Sequence, residues 1–199
     1  MLLFIDAQTN IHLYQYIYWM ILVIYFDIFR KELEKRLTEH NIPFQLVKYA
    51  DLEHYNPTEP IKIIIVAGSK ERILRTNDFP LLETYMKQDV HIIGICFGFQ
   101  YLAFKTGGKV VEGPLFTGRR TVNTICERTT TGKTNTEHLY FNHHDRVLDL
   151  PDEWTVVQRI DGFINIAATK KWIGFQFHPE KDDAAFRHYM LPFLHLCTF

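Results

Sequence analysis

Cysteine is scarce in this 199-residue chain: Cys96, Cys126 and Cys197 are the only three, and none forms a C-x-x-C pair. An odd, widely spaced set argues against a disulfide scaffold or a zinc site and fits a reducing, cytoplasmic compartment. No Asn-x-Ser/Thr glycosylation sequon occurs. Net charge is small, −1, with a pI of about 6.8, so nothing suggests a nucleic-acid partner. A membrane-length apolar run is missing too. The nearest, "IHLYQYIYWMILVIYF" from Ile11 to Phe26, ends at Asp27 after sixteen residues and contains His12 and Gln15; roughly 20 apolar residues are needed to cross a bilayer. It lacks the cationic start and small-residue cleavage site of a signal peptide. It is read as a buried helix, or as a helix offering an apolar face to a partner, and not as a membrane segment. Repeats, low-complexity stretches and Pro/Gly/Ser linkers are absent, and the length suits one domain over residues 1–199.

What is present is an ordinary globular balance, 47% hydrophobic and 23% charged. "PFQLVKY" (43–49), "IKIIIVAG" (61–68) and "VHIIGI" (90–95) are continuous apolar strands, with a helix over Pro80 to Lys87 between the last two. Continuous strands separated by helices imply a parallel sheet covered on both faces. Later segments, "RRTVNTI", "EHLYFN", "EWTVVQRI", "FINIAAT" and "KWIGFQF", are short strands with few helices between them, which adds antiparallel strands. The fold class is therefore α/β, a flavodoxin-like open sheet, mostly parallel, with helices on both faces. A final helix is expected from about Asp182 to Cys197. At the start, "LLFID" (2–6) is taken as the first strand because the polar "AQTN" after it suits a helix cap. That choice makes residues 11–40 an unusually long helical segment, in which Glu32 and Arg36 are spaced for an i,i+4 pair. "MILVIYFD" (20–27) is the competing first strand, with residues 1–19 as an extra arm.

One of the scarce cysteines sits in "HIIGICFGFQYLA" (91–103), between two glycines at the end of an apolar strand and before a helix-like run. In open α/β sheets ligands bind at the carboxyl ends of strands. A tight strand-to-helix turn lifts its apex residue out of the core, and a helix N-terminus beneath a sulfur favours thiolate, the nucleophilic form. The Phe97 N–H would point at an oxyanion formed by attack from Cys96. A nucleophile needs a base, and the base needs an orienting group. "GFQFHPE" (174–180) supplies His178 and Glu180 two positions apart, on one side of a strand end. Pro179 restricts His178 to extended backbone.

These segments resemble the class I, triad-type, glutamine amidotransferases: "GICFGFQ" matches the family's G-x-C-x-G-x-Q elbow and "GFQFHPE" its G-x-Q-F-H-P-E segment. "VAGS" (66–69) lies where the family has a G-G-P turn, and "NHHDRVLDLPDEW" (142–154) is similar to its S-H-G-D…L-P segment, most of all in the glutaminase subunit of GMP synthetase. Anthranilate-type and carbamoyl-phosphate-type subunits stay open. The resemblance implies Cys96 as nucleophile, His178 as general base and acid, and Glu180 as its orienter. It implies backbone N–H groups of Gly68 and Phe97 as oxyanion hole, and substrate contacts at Gln100, Asn142, His143 and His144. The implied reaction attacks the side-chain amide of L-glutamine, releases ammonia and hydrolyses a γ-glutamyl thioester. It needs no metal or organic cofactor, and the ammonia would go to a separate synthase or ligase subunit.

The sequence departs from the family pattern in places. Ala67-Gly68-Ser69 replaces Gly-Gly-Pro, so the oxyanion turn is expected to be weakly fixed and to rely on a partner for order. His144 stands where many relatives have Gly, and the apolar N-terminal segment has no counterpart. Rival readings are a free-standing γ-glutamyl hydrolase or peptidase with the same triad, and a non-catalytic binding module on this fold. "TTTGKT" (129–134) is no phosphate loop, since Glu127 stands where the motif needs Gly. His143 and His144, adjacent on a strand, point opposite ways and make a poor metal site. Cys126 and Cys197 are packing residues.

Overall fold

The computed structural model describes residues 20–126 and 134–196. Among these, the strands are β1 (Met20–Tyr25), β2 (Phe44–Lys48), β3 (Ile61–Val66), β4 (His91–Ile95), β5 (Lys109–Cys126), β6 (Thr134–Asp149), β7 (Thr155–Ile160), β8 (Phe163–Ala168) and β9 (Trp172–Phe175). The helices are α1 (Arg30–Glu39), α2 (Pro80–Met86), α3 (Phe97–Lys105), α4 (Asp183–Ala185) and α5 (Leu191–Leu196), with a π-helical turn over Phe186–Met190. All strands join one sheet in the order β2-β1-β3-β4-β9-β8-β6-β5-β7. The five from β2 to β9 pair in parallel and the rest pair antiparallel. The expected α/β architecture is observed, and its parallel part has the 2-1-3-4-5 order of flavodoxin-like sheets once β9 is counted fifth.

The parallel strands are apolar on both sides because both sides are covered. Ile21, Val23, Ile63 and Ile65 face α1 and the C-terminal helical run; Leu22, Ile24, Ile64 and Val66 face α2 and α3. Fully burying one such side chain contributes about 1.5–3 kcal/mol. Glycines set the spacing of the α3 layer. A Cβ on Gly98 would lie 2.1 Å from the Val66 carbonyl oxygen, and one on Gly174 would lie 1.9 Å from the Phe99 ring. Both glycines thus let α3 and its Phe99 ring sit directly on β3 and β9.

The N-terminal expectation is overturned. Met20–Tyr25 is not part of a long helix but strand β1, in parallel register with β2 and β3, with Ile21 to Ile24 fully buried. The strand part of the competing reading holds, for a physical reason: Ile21, Val23 and Ile24 are β-branched and fill both faces of a central strand. "LLFID" and "AQTN" lie outside the described residues. The expected Glu32–Arg36 pair gives way to other partners, distant Lys181 for Glu32 at 2.7 Å, and for Arg36 the neighbouring Glu39 at 2.8 Å and distant Asp183 at 3.6 Å. The C-terminal helix starts as expected, with Asp182 Oδ1 accepting from the N–H groups of Ala184 and Ala185, but its middle is a π turn. Cys197 lies outside the described residues. None of the described helices is long and apolar enough to cross a membrane.

In the antiparallel half, "RRTVNTI" and "EHLYFN" prove to be parts of a much longer hairpin, with 18 residues in β5 and 16 in β6. The extension was hidden because two of its buried positions, His143 and Asp145, are polar. Along β6, Phe141, His143, Asp145 and Val147 are buried while Asn142, His144, Arg146 and Leu148 are partly exposed. That is strict strand periodicity, but hydropathy does not display it. β7 pairs with β5 and also with β8, so β8-β6-β5-β7 closes on itself.

Candidate active site

The end of β4 is where the backbone is most constrained. Cys96 adopts φ 51°, ψ −101°, the strained geometry of a sharp elbow, held by its N–H donating to Phe175 O at 2.7 Å and its carbonyl accepting from Gln100 N at 3.0 Å. Its thiol is 2% exposed and faces the Asn142 carbonyl, with Sγ 3.7 Å from the oxygen. Cys96 directly precedes α3, which begins at Phe97, so it stands at the helix end where first-turn N–H groups have no intrahelical acceptor.

His178 and Glu180 follow β9 on the adjacent strand end, both essentially buried. Nδ1 of His178 and Oε1 of Glu180 are 2.7 Å apart, and Nε2 of His178 makes no hydrogen bond among the described residues. Burial opposes charging of this imidazole, but the charges of Glu180 and Cys96 outweigh it and raise its pKa well above 6.5. The pair is held from several sides. The His178 N–H donates to Tyr140 O at 2.8 Å, and Arg36 Nε of α1 donates to Glu180 O at 3.3 Å. Phe29 meets the His178 ring edge-on with centroids 4.6 Å apart, and Lys181 lies over Phe29 at 4.4 Å. Gly68 abuts the same ring, since a Cβ there would lie 2.7 Å from His178 Cε1.

Cys96, Gln100, Asn142, His143 and His144 line one cleft of about 180 Å³ together with Ser69 to Arg72, Leu115 and Asp145. The structure therefore gathers the residues expected at the substrate end around the thiol. His178 and Glu180 stay behind it, outside the lining. Gln100 is committed to the protein, its Nε2 donating to Asp145 O at 2.6 Å.

The turn after β3, expected to be weakly fixed, is tied down by side chains. Asp27 Oδ1 accepts from Lys70 N at 3.0 Å and from Ser69 Oγ at 3.5 Å, and Ser69 Oγ accepts from Glu71 N at 3.0 Å. Farther along, Arg72 binds buried Asp145 through Nε at 3.1 Å and Nη2 at 2.5 Å, and Asp145 Oδ2 accepts from Leu74 N at 3.3 Å. Arg72 also reaches Glu112 at 2.7 Å. These carboxylates hold the guanidinium pKa above its ordinary value. Sequence reasoning missed Asp27, Phe29, Arg36, Arg72 and Asp145. For Asp27 a signal existed: it follows the strand-like "MILVIYFD" run, at a strand end where a parallel sheet places its functional loops.

Comparison with known proteins follows the same lines. The model of the family "Glutamine amidotransferase class-I" matches residues 22–195. The chain is 29% identical over 172 residues to a Bacillus subtilis protein named GMP synthase [glutamine-hydrolyzing], covering 81% of this chain and 33% of that one. It is 27% identical over 164 residues to the protein of the same name from Clostridium tetani, covering 79% and 32%. It thus spans about a third of the length of these curated relatives. Among solved structures, a Thermoplasma acidophilum protein described as a GMP synthase subunit matches with TM-score 0.70 and 21% identity over 90% of this chain and 94% of that one. A Thermotoga maritima glutamine amidotransferase matches with TM-score 0.61 and 18% identity over 89% and 83%. At these identities the structural matches speak for the fold alone.

Proposed function

The chain belongs to the class-I glutamine amidotransferase family, and from that premise we propose that it hydrolyses the side-chain amide of L-glutamine with Cys96, His178 and Glu180. The observation that carries this reading is the buried His178–Glu180 pair, whose imidazole lies near enough to the elbow cysteine for Cys96 to raise its pKa. With its pKa raised beside Cys96, His178 already holds the thiol proton as the sulfur attacks the amide carbon. The imidazolium so formed, stabilised by Glu180, protonates the leaving nitrogen, and ammonia departs. Water then attacks the γ-glutamyl thioester, giving its proton to His178, which returns it to sulfur and frees glutamate. The developing oxyanion is held by the N–H groups of Phe97 and Gly68; losing one such donor typically costs about 10²–10³ in kcat. The substrate's amino-acid end lies in the cleft among Gln100, Asn142, His143 and His144.

The tethers from Asp27 and Asp145 favour an oxyanion turn already formed, so the isolated domain is expected to release ammonia without a partner. In this reading the ammonia passes to a separate synthase subunit of the GMP synthase kind, and the protein works in the cytoplasm. The test is ammonia release from glutamine by the purified chain beside Cys96→Ala. Release abolished in the variant supports the reading. No release, with cleavage of another γ-glutamyl compound, replaces it with a γ-glutamyl hydrolase. Failure of a glutamine-like alkylating analogue to label Cys96, with no turnover, leaves a binding module.

A further inference from the structure

A second pocket, of about 30 Å³ and partly open to solvent, lies among the antiparallel strands and touches β5 at Phe116, β6 at Phe141, His143 and Arg146, β7 at Ile160 with Asp161 just past it, and β8 at Phe163 and Asn165. Gln176, just past β9, completes its wall, and His143 is common to this wall and to the catalytic cleft. An apolar hole of this size would stay dry. This one is not apolar, because six buried polar atoms on its lining residues lack a hydrogen-bond partner among the described residues. They are Nδ1 and Nε2 of His143, Nε of Arg146, Oδ1 of Asn165, and Oε1 and Nε2 of Gln176. Each buried polar atom left unpaired costs about 1–3 kcal/mol, and groups of this kind are paired with protein or ordered water in the great majority of folded proteins.

The neighbouring hydrogen bonds fix how two of these groups are presented. Asn165 donates its Nδ2 to Gln158 Oε1, so its Oδ1 is the free end, and Gln158 in turn donates to Glu137 at 3.3 Å. Arg146 stacks over the Phe116 and Phe163 rings at 5.3 and 4.9 Å and donates Nη2 to Pro114 O at 3.3 Å, while its Nε has no partner among the described residues. His143 is kept neutral by burial and then by the Arg146 charge, its pKa pushed down to about 3. One imidazole nitrogen therefore donates and the other accepts. Asp161, of opposite charge to Arg146, also lines the wall, so donors and acceptors are both present, which suits a neutral molecule that does both.

We propose that this cavity is a hydration site holding two water molecules that bridge His143 to Arg146, Asn165 and Gln176 across the interior of the antiparallel strands. A water needs roughly 10–15 Å³ of such space and two to four polar partners, so the volume admits about two. Two waters bonded to each other present about six further hydrogen-bonding positions, which matches the unpaired atoms in number. The waters lie behind the His143 ring, on the stretch of β6 whose Asn142 and Asp145 carbonyls face Cys96 and Gln100. Cavity and unpaired atoms are present whether or not the chain hydrolyses glutamine, so the hydration site does not depend on that activity.

The experiment is a high-resolution crystal structure of the full chain, with a second crystal under xenon, and water-oxygen relaxation dispersion on wild type and Gln176→Met. The expected result is two ordered waters within hydrogen-bonding distance of His143 and Gln176, no xenon, and loss of one or two long-lived waters in the variant. Xenon occupancy, a halide beside Arg146, or side chains turned to pair directly with no water between them would each overturn it. An unchanged count of long-lived waters in a folded Gln176→Met would do the same. If that variant does not fold, the wild-type water and xenon densities decide the matter.

Discussion

Two buried histidines stand on opposite halves of one sheet and are driven in opposite directions. His178, at the end of the parallel half, has a carboxylate at 2.7 Å and a cysteine beside it, and its pKa is raised despite burial. His143, in mid-strand in the antiparallel half, has Phe116 and Phe141 rings and the Arg146 guanidinium around it, and its pKa falls to about 3. The halves differ in the same way overall. β1, β3 and β4 bury almost only apolar side chains, and their polar chemistry is confined to the loops past their ends, at Asp27, Gly68 and Cys96. The antiparallel strands bury His143, Asp145, Gln158 and Asn165 within their length. In one half backbone geometry creates reactivity; in the other, side-chain networks create support.

Substitutions at the strand ends are expected to abolish turnover. Cys96→Ala should lower kcat by roughly 10⁴–10⁶, as removal of a nucleophile does. If elbow strain is real, Cys96→Gly should also be more stable than Cys96→Ala by about 1–3 kcal/mol in urea unfolding, because glycine accepts a positive φ. Equal stabilities would remove strain from the account of the parallel half. Glu180→Gln should cut kcat by about 10⁴ through loss of imidazole orientation, and it removes one member of a buried pair. Steady-state ammonia release with a thermal melt separates the two effects.

Gly68→Ala tests close approach without replacing a titratable group. The added Cβ would force the His178 ring aside, and a displacement near 1 Å costs about 100-fold in kcat. An active Gly68→Ala would show that the ring can retreat. Arg72→Gln tests the antiparallel support, since it leaves Asp145 buried without its cation. A stability loss of about 3–5 kcal/mol is expected, with a rise in KM for glutamine because the cleft wall loosens. No change in either quantity would break the proposed division between the halves.

The smallest effect concerns acid. Between pH 6.5 and about 3 the unfolded chain protonates the His143 ring while the folded chain does not. Its contribution is therefore complete above pH 6.5 and is lost as pH falls towards 3. His178 has the opposite sign: with a raised folded pKa, its contribution is complete below 6.5 and declines as pH rises through the folded value. Urea midpoints measured from neutral pH to about pH 4 should fall less steeply for His143→Phe than for wild type. Parallel curves would mean that His143 is protonated in the folded protein.

Much of this was legible beforehand, unevenly. The elbow "GICFGFQ" and "GFQFHPE" could be read because each is local, a strand end, a turn and a helix start within a few residues, and the glycines have a visible cause in the packing of α3. β1 was misread because a charge-free run of β-branched and aromatic residues suits a buried helix or a buried strand equally until its neighbours are known. The β6 extension was missed because polar side chains, His143 and Asp145, occupy two of its buried positions.

The sequence by itself determined which residues carry the candidate chemistry, since those patterns are short and the backbone alone relates their members. Only the tertiary structure decided what holds them. Arg72 and Asp145 are 73 positions apart, and Arg36 and Glu180 are 144 apart. No local periodicity encodes such pairs; they arise when the sheet order brings distant loops to one edge. The same is true of the cavity behind His143, whose walls come from separate strands and whose unpaired atoms have meaning only once those strands have closed around them.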